Sequence, residues 1–312
     1  MTGGPGGSVR IAVIGCGAIG SLYAAHLARV DGVEVWAVDP WAEHVAAMES
    51  RGLRVTGQED FTAPVNARTD GGELPACHFG LVATKSQDTR RAVAGARSAL
   101  AGAAVVSLQN GLGNEEVVAE LVPRVIRGSI VTAGAIVAPG VVRYDAPGDS
   151  WFGPFEPRPA RMREVEELAR LLTAGGLRTH ALADARGPQW TKVIFNSATS
   201  PPAALTGLGV GRVCTDAGLR ALVNALVAEG VAVCERAGIA LERPPGDAVD
   251  EAVAQAYDHK PSMLQDVLAR RATEIDVLNG GIAAEGRRNG VPTPLHDCMV
   301  ALVKGLEKSW SA

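Results

Sequence analysis

The sequence predicts an α/β fold in which an N-terminal Rossmann-type domain, a doubly wound parallel sheet, is followed by an all-helical C-terminal domain. A β-branched run at residues 9–14 leads into a glycine-rich turn at residues 15–20. Strand-like and helix-like stretches then alternate, which is typical of a doubly wound sheet. From about Gly187 onward the chain consists of Ala-, Leu- and Val-rich stretches with helical spacing.

The predicted elements follow in this order. The strands are expected at residues 9–14, 34–38, 79–83 and 103–108, at 129–137, 140–144 and 150–152 as hairpin or edge strands, and at 177–182. The helices are expected at residues 21–30, 42–51, 88–99, 188–205, 214–238, 247–257, 263–288 and 294–308. The domains are a dinucleotide-binding domain at residues 1–185 and a helical substrate and catalytic domain at residues 186–312.

Size and composition are those of an ordinary globular protein, and two domains are the natural expectation. The 312 residues exceed the usual size of one core, although one large α/β domain is the alternative, and 47% are hydrophobic and 21% charged. A net charge of −4 creates no basic field for nucleic acid or an anionic membrane, so small molecules are the expected partners. Residues 11–28 carry no formally charged side chain, but their glycines favour a strand followed by a helix over a membrane span. Residues 1–8 are expected to form a flexible tail.

The cysteines and histidines indicate neither a metal site nor a disulfide framework. The five cysteines form no CxxC pair and the six histidines form no HExxH pattern. Free thiols are typical of a reducing compartment, so a cytoplasmic location is expected.

The glycine-rich turn predicts dinucleotide binding. In the GxGxxG pattern, the first glycine permits a tight turn, the second lets a pyrophosphate approach the backbone, and the third lets helix and strand pack closely. The helix N-terminus then faces the phosphates. The residues of this predicted cofactor site are Gly15, Cys16, Gly17, Ala18, Ile19 and Gly20.

Asp39 ends the second predicted strand, where an acidic side chain can bind the adenine-ribose hydroxyls. A carboxylate there repels a 2′-phosphate, and the nearest arginines after it along the chain are Arg51 and Arg54, so NADH is favoured over NADPH. The alternative is a solvent-facing turn aspartate in Asp39-Pro40.

Four further stretches carry polar residues in a recognisable order. They are Thr84-Lys85-Ser86; Gln109-Asn110-Gly111-Leu112-Gly113; Trp190-Thr191-Lys192 with Asn196; and Ser262-Met263-Leu264-Gln265-Asp266 followed by Thr273-Glu274-Ile275-Asp276. Together they resemble the ketopantoate reductase family over nearly the whole chain. The last pair of stretches, at this spacing, is much more specific than the glycine turn.

The resemblance implies an NADPH-dependent reduction of 2-dehydropantoate to pantoate, a step of pantothenate biosynthesis, in a cleft between the two domains. It implies that Lys192 is the general acid, because an ammonium both stabilises the charge that develops on a ketone oxygen and supplies the proton. The alternative for Lys192 is a solvated helix lysine. Glu274 would bind substrate and favour the protonated lysine, or else form a surface ion pair with Arg270 four residues earlier.

The resemblance also implies the remaining contacts. Asn110 would lie near the nicotinamide, the substrate and the catalytic lysine, and Lys85 near the cofactor or the catalytic network, with a plain surface lysine as the alternative. Asn196, four residues after Lys192, shares its helix face and can reach the same substrate. Ser262 would bind the substrate carboxylate, and Ser262-x-x-Gln265 also reads as a capping box at the start of a long helix.

The sequence departs from the family pattern at two positions. Ser200, followed by two prolines, stands where family members often carry an asparagine that contacts a substrate hydroxyl. Asp39 stands where the family commonly offers a basic residue. Ser200 remains a candidate substrate contact, but a related 2-oxo acid becomes a second candidate substrate.

Two other functional classes are weaker interpretations. A dinucleotide-sensing protein without chemistry would need neither Lys192 nor Glu274. A helical half that serves chiefly for dimerisation would not explain residues 262–276, although a homodimer is compatible with its apolar helices.

Overall fold

The computed structural model describes residues 8–255 and 257–310. The predicted tail therefore lies, apart from Ser8, outside the described residues. The chain forms two compact units. The sheet unit runs up to Gln109 and resumes at Asn114–Ala185, whereas the helical unit combines Asn110–Gly113 with the chain from Arg186 onward.

The sheet unit alternates strands and helices, but the predicted single strand at residues 129–137 is wrong, because the chain turns at residues 131–132 between two strands of different sheets. Its strands are β1 Val9–Ile14, β2 Val33–Val38, β3 Leu53–Gly57, β4 Phe61–Ala63, β5 Asn66–Arg68, β6 Phe79–Val82, β7 Ala104–Ser107, β8 Val125–Ile130, β9 Ala133–Ala138, β10 Val141–Ala146, β11 Ser150–Pro154 and β12 Thr179–Ala181. Its helices are α1 Ala18–Leu27, α2 Ala42–Arg51, α3 Thr89–Gly95, α4 Arg97–Leu100, α5 Asn114–Ala119 and α6 Met162–Ala174.

The large sheet has the order β12-β11-β8-β7-β6-β1-β2-β5 within the described chain. Its pairs are parallel except for β11 against β8. The chain leaves β1 for β2 on one side and later returns to place β6 on the other. Ligands of open α/β sheets bind at the carboxyl ends of the strands where the order reverses, so the turns after β1 and β6 are the expected binding edge. The predicted fold class is confirmed.

Helix α1 explains the uncharged stretch at residues 11–28. Its residues 20–27 are all buried, because it packs against β1 and β2 on one side and against β3, β9 and β10 on the other. The latter strands belong to a second sheet of order β4-β3-β10-β9. A helix covered on both faces is apolar all round. Sequence analysis missed β3 and β4 and therefore this second sheet.

The helical unit contains α7 Arg186–Thr206, α8 Val210–Thr215, α9 Ala217–Arg236, α10 Pro245–Gln255, α11 Ser262–Leu268, α12 Asn279–Asn289 and α13 Pro294–Ser309. The predicted continuous helix at 263–288 is wrong, because an irregular segment at residues 269–278 separates α11 from α12. A Schellman motif ends α11: Arg270 takes φ 50°, its N–H donates to the carbonyl of Val267, and the N–H of Arg271 donates to Asp266. Glycine usually occupies this left-handed position, so no sequence signal marked the stop.

Helix α7 continues through Pro201 and Pro202, which lack the N–H that a helix needs. The carbonyl of Ser197, four residues before Pro201, instead accepts a hydrogen bond from Asn279 Nδ2 at 2.9 Å. The same Nδ2 group also lies 3.0 Å from His296 Nδ1. Asn279 therefore replaces the lost backbone donor and keeps α7 helical across Ser200.

One helix within residues 8–255 and 257–310, α9, is long and apolar enough to span a membrane by length and composition alone. Val223 and Leu226 of this helix lie in the core of the helical unit together with Ile275 and Met299. A core helix of a folded domain has the same character, so this feature is weak support for a membrane span.

Candidate active site

The glycine turn connects β1 to α1 and has the geometry that dinucleotide phosphates require. Gly15 has φ 91°, and a Cβ on Gly20 would lie 1.9 Å from the Gly15 carbonyl oxygen. Neither position tolerates a side chain. A Cβ on Gly17, the N-cap of α1, would meet nothing within 4 Å, so the backbone there is open to an approaching anion. These features fit a bound pyrophosphate.

The peptide of Cys16 is held at both ends inside this turn. Its N–H donates to Asp39 Oδ2 at 2.9 Å, and its carbonyl accepts from the Ser21 hydroxyl at 2.8 Å. Asp39 Oδ1 accepts the N–H of Trp41 at 2.9 Å. Asp39 is thus both a turn residue and a direct support of the glycine turn. Ala18 begins α1, and Ile19 packs against the core of the sheet unit.

His44 extends this network, and sequence analysis missed it. Its Nδ1 accepts the N–H of Gly140 at 2.9 Å, so the proton resides on Nε2, which donates to Ser21 Oγ at 3.3 Å. Burial lowers the pKa of His44 and favours this neutral form, although Asp39 acts in the opposite direction. The His44 ring also stacks on the exposed Trp41 indole at 5.2 Å. A lone histidine on a helix gave no signal of this role.

Arg68 is the basic residue that the sheet brings to Asp39, although it is distant along the chain. Its carbonyl accepts the N–H of Asp39 at 3.2 Å. Its guanidinium pairs with Glu49, lies 3.6 Å from Glu73 Oε2, and sits over the Trp36 ring. The guanidinium of this neighbouring residue is therefore already engaged by two carboxylates.

The residues after β6 and β7 are joined by Gln109, which sequence analysis did not single out as a site residue. Gln109 Nε2 lies 2.9 Å from the Thr84 carbonyl and 2.7 Å from Thr89 Oγ1. Lys85 follows Thr84 at the binding edge, as the N-cap of a short 3-10 helix at residues 86–88. The buried amide of Gln109 thereby fixes the turn that carries Lys85.

Lys192, Asn110 and Glu274 come together in the helical unit. Lys192 Nζ donates to Asn110 Oδ1 at 2.7 Å, and Asn110 Nδ2 lies 3.5 Å from Glu274 Oε2 in a long contact. The Asn110 amide thus bridges an ammonium and a carboxylate. These partners stand 82 and 164 positions apart in the sequence.

Gly111 allows Asn110 to reach this site. It has φ 86°, and a Cβ there would lie 2.6 Å from the Val277 carbonyl oxygen. The next residue, Leu112, donates its N–H to the same oxygen at 2.8 Å. Gly113, with φ 94°, would meet nothing within 4 Å. Gly111 is therefore required both by its conformation and by the close approach of residue 277.

Burial lowers the pKa of Lys192 to about 8, while the charge of Glu274 raises it. Glu274 itself is only 8% exposed. A lysine with this pKa remains mostly protonated at neutral pH and gives up its proton more readily than a solvated lysine. The interpretation of Lys192 as a solvated helix lysine is wrong, because its side chain is partly buried.

The other predicted substrate contacts are placed by α7 and α11. Asn196 follows Lys192 by one turn of α7 and is half-buried, and Ser200 follows by two turns and is buried. Ser262 is exposed at the first residue of α11, which packs on α7.

Two alternative interpretations are wrong. The N-cap of α11 is Pro261 without a side-chain cap, and Gln265 Nε2 donates to the Lys260 carbonyl at 2.8 Å, so Ser262 and Gln265 form no capping box. Glu274 is not a surface residue one helical turn from Arg270, because it is buried and residues 269–278 are not helical.

Comparison with known proteins places the chain in a family. The profile of ketopantoate reductase PanE/ApbA matches residues 11–157, and that of the ketopantoate reductase C-terminal domain matches residues 184–307. The chain belongs to the ketopantoate reductase family. Members of this family are nicotinamide-dependent reductases.

Curated relatives in the ketopantoate reductase family align along the whole chain. A 2-dehydropantoate 2-reductase of Pyrococcus abyssi is 32% identical over 302 residues, covering 96% of this chain and 98% of the relative. The corresponding protein of Pyrococcus horikoshii is 33% identical with the same coverage.

Solved structures give the same result. A PanE/ApbA family ketopantoate reductase from Ralstonia eutropha JMP134 has a TM-score of 0.88 and 30% identity, covering 97% of this chain and all of that chain. A D-mandelate dehydrogenase solved with NADH has a TM-score of 0.83 and 25% identity, covering 96% and 99%. The fold of this ketopantoate reductase family member therefore also occurs in a dehydrogenase that binds NADH.

Proposed function

We propose that this protein reduces the ketone of a 2-oxo acid with a nicotinamide cofactor, and that 2-dehydropantoate, reduced to pantoate, is its substrate. The observation that carries the proposal is the contact between Lys192 Nζ and Asn110 Oδ1, with Glu274 beside the same amide. Full-length relatives named 2-dehydropantoate 2-reductase support the choice of substrate.

The residues of the helical unit perform the proton chemistry. When bound, the reduced nicotinamide supplies a hydride to the carbonyl carbon. Negative charge then develops on the carbonyl oxygen, where the Lys192 ammonium stabilises it and donates the proton. Asn110 fixes the position of the ammonium, and the Glu274 carboxylate favours its protonated state.

The substrate carboxylate is assigned to Ser262, and the remaining polar groups of the substrate to Asn196 and Ser200. Asn196 and Ser200 lie one and two turns beyond Lys192 on α7 and therefore extend from the reacting group along one helix face. Ser262 is exposed at the start of α11, where a ligand can reach it.

The cofactor is assigned to the glycine turn and Lys85, and we propose a preference for NADH. Asp39 places a carboxylate at the end of β2, and the neighbouring Arg68 is already engaged by Glu49 and Glu73. A 2′-phosphate would meet the negative charge of Asp39, and the Arg68 guanidinium is already paired with carboxylates. The D-mandelate dehydrogenase solved with NADH shows that this fold accommodates the cofactor.

Steady-state reduction of 2-dehydropantoate, followed by nicotinamide absorbance with NADH and NADPH in parallel, tests both assignments. We expect turnover with a higher kcat/KM for NADH. In Asp39→Asn the preference should shift toward NADPH by about tenfold, because repulsion worth roughly 1.4 kcal/mol is removed. Glu43→Gln, which removes an exposed acid of α2, is the matched control. An NADPH preference in the wild type would refute the assignment to Asp39 and leave the reaction intact.

A related 2-oxo acid is the second candidate substrate, because Ser200 is shorter than the asparagine common in the family. Its buried position limits how far its hydroxyl can reach. A panel of branched and aromatic 2-oxo acids, including the 2-oxo acid related to mandelate, separates the two candidates. A higher kcat/KM for any of these than for 2-dehydropantoate would reassign the substrate and leave the roles of Lys192 and Glu274 unchanged.

The proposed location is the cytoplasm. Cys16, Cys77, Cys214 and Cys234 are buried free thiols and Cys298 is an exposed one. Unpaired thiols fit a reducing compartment. Maleimide labelling with and without reductant tests this location: exposed Cys298 should label equally in protein from cytoplasmic extracts under both conditions.

A further inference from the structure

The segment that carries Glu274 has no regular secondary structure to hold it. Residues 269–278 lie between α11 and α12, and the Schellman motif at Arg270 fixes only their start. Yet Glu274 is buried and lies beside Asn110. Something other than a helix or a strand must therefore fix the position of its backbone.

Glu307 of α13 holds the residue before Glu274. Its Oε1 accepts two hydrogen bonds from Thr273, one from the backbone N–H at 2.8 Å and one from the hydroxyl at 2.7 Å. Thr273 Oγ1 in turn accepts the N–H of Ile275 at 3.3 Å. One carboxylate oxygen thus orders the backbone on both sides of Glu274.

Lys304, one turn earlier on α13, holds the other end of the same short segment. Its Nζ lies 2.8 Å from Asp276 Oδ2 and 3.2 Å from Glu307 Oε2. Burial raises the pKa of Glu307, but the hydrogen bonds from Thr273 and the charge of Lys304 outweigh it and hold that pKa below its usual range. Glu307 is therefore ionised at neutral pH and accepts charge-assisted hydrogen bonds, which are the stronger kind.

We infer that Glu307 and Lys304 are positioning residues for the proposed reaction: together they clamp residues 273–276 so that Glu274 stays beside Asn110 and Lys192. The inference rests on the proposed function for its catalytic consequence. It adds to that function two residues of the C-terminal helix that touch neither substrate nor cofactor. Displacement of a catalytic group by about 1 Å can cost a hundredfold in rate, so the clamp is expected to affect turnover.

The chain offers a matched control for a simple loss of an ion pair on α13. Arg287 of α12 pairs with Asp297 of α13 at 3.1 Å, and both side chains are exposed. The pair joins α13 to α12 through residues other than Lys304 and Glu307. Arg287→Met therefore removes a comparable interaction without touching the clamp.

The test compares Glu307→Ala, Glu307→Gln, Lys304→Met and Arg287→Met in the full-length protein. We expect kcat/KM to fall about thirtyfold in Glu307→Ala, while the cofactor dissociation constant stays unchanged. In Glu307→Gln we expect kcat/KM within about threefold of the wild type, because the glutamine keeps an acceptor for Thr273. The kcat/KM of Lys304→Met should lie between the values of the two Glu307 variants, and the kcat/KM of Arg287→Met should equal that of the wild type. A loss in Glu307→Ala equal to that in Arg287→Met would overturn the inference.

Hydrogen exchange of the backbone amides separates failure of the clamp from failure of the proposed function, because it needs no substrate. The amides of Thr273 and Ile275 should exchange faster in Glu307→Ala than in Glu307→Gln or Arg287→Met. Unchanged exchange would refute the clamp even if the protein proved inactive on every 2-oxo acid. Faster exchange in a protein without such activity would refute the proposed function and leave the clamp intact.

Discussion

The glycine turn of the sheet unit and the lysine site of the helical unit are assembled in opposite ways. The turn is built from residues close in sequence, and its partners Ser21, Asp39 and His44 lie on α1, directly after β2 and on α2. The lysine site joins side chains that stand 82 and 164 positions apart. A local pattern is therefore sufficient to find the first site, whereas the second exists only after folding.

The two sites also differ in what holds them. In the glycine turn, one Asp39 carboxylate oxygen and the Ser21 hydroxyl fix the Cys16 backbone, and burial keeps His44 in its neutral form. The lysine site buries an ammonium, which lowers the pKa of Lys192 to about 8 although the charge of the Glu274 carboxylate raises it. Damage to the turn should therefore weaken cofactor binding, and damage to the lysine site should slow the chemical step.

Replacement of the catalytic amine should have the largest effect. In Lys192→Ala we expect kcat to fall roughly a thousandfold, since both the proton donor and the charge stabilisation are lost, while NADH binding measured by fluorescence titration stays within about twofold. Lys308→Met, at an exposed lysine of α13, is the control. A parallel loss of cofactor affinity would show that the two sites are not separable as described.

A change in the backbone next to Asn110 should have a smaller effect. In Gly111→Ala the new Cβ meets the Val277 carbonyl oxygen, so Asn110 must shift, and we expect kcat/KM to fall about a hundredfold. Gly113→Ala introduces the same strain of a positive φ, about 1 kcal/mol, without a clash. Both variants should unfold at a lower temperature than the wild type, whereas only Gly111→Ala should lower kcat/KM. Equal rates in the two variants would contradict the assigned role of Gly111.

The smallest effect is expected at His44, which supports the glycine turn of the sheet unit. His44→Ala removes the donor to Ser21 and the acceptor for Gly140, which loosens the glycine turn. We expect the KM for NADH to rise about fivefold with kcat unchanged, since a lost hydrogen bond is worth about 1 kcal/mol. His180→Ala, at an exposed histidine of the same unit, should leave KM unaltered. A fall in kcat instead would contradict the division between binding and chemistry.

The sequence predicts the strands and helices near these sites well where local periodicity is strong. Strand β1 coincides with its predicted range, and α7 and α13 differ from theirs by one or two residues. Strands β3 and β4 were not predicted because they lie in a second sheet whose other strands, β9 and β10, come much later in the chain. The end of helix α11 was not predicted, because arginine and not glycine takes the left-handed position there.

The candidate site was only partly accessible to sequence reasoning. Lys192, Asn110 and Glu274 were selected through resemblance to a family, since their contact is non-local. His44, Gln109 and Glu307 were missed, because each acts through hydrogen bonds to backbone or side chains that only the tertiary structure brings within reach. No composition or spacing marks such residues.

The pH dependence of kcat/KM for 2-dehydropantoate reduction, compared between the wild type and Glu274→Gln, tests the central claim most directly. The general acid must be protonated, so activity should be full below the pKa of Lys192 and lost as the pH rises through about 8. Because the Glu274 charge raises that pKa, the loss should begin at lower pH in Glu274→Gln. If kcat/KM were not lost at high pH, or if the loss occurred at the same pH in Glu274→Gln as in the wild type, the assignment of Lys192 as the proton donor would be contradicted.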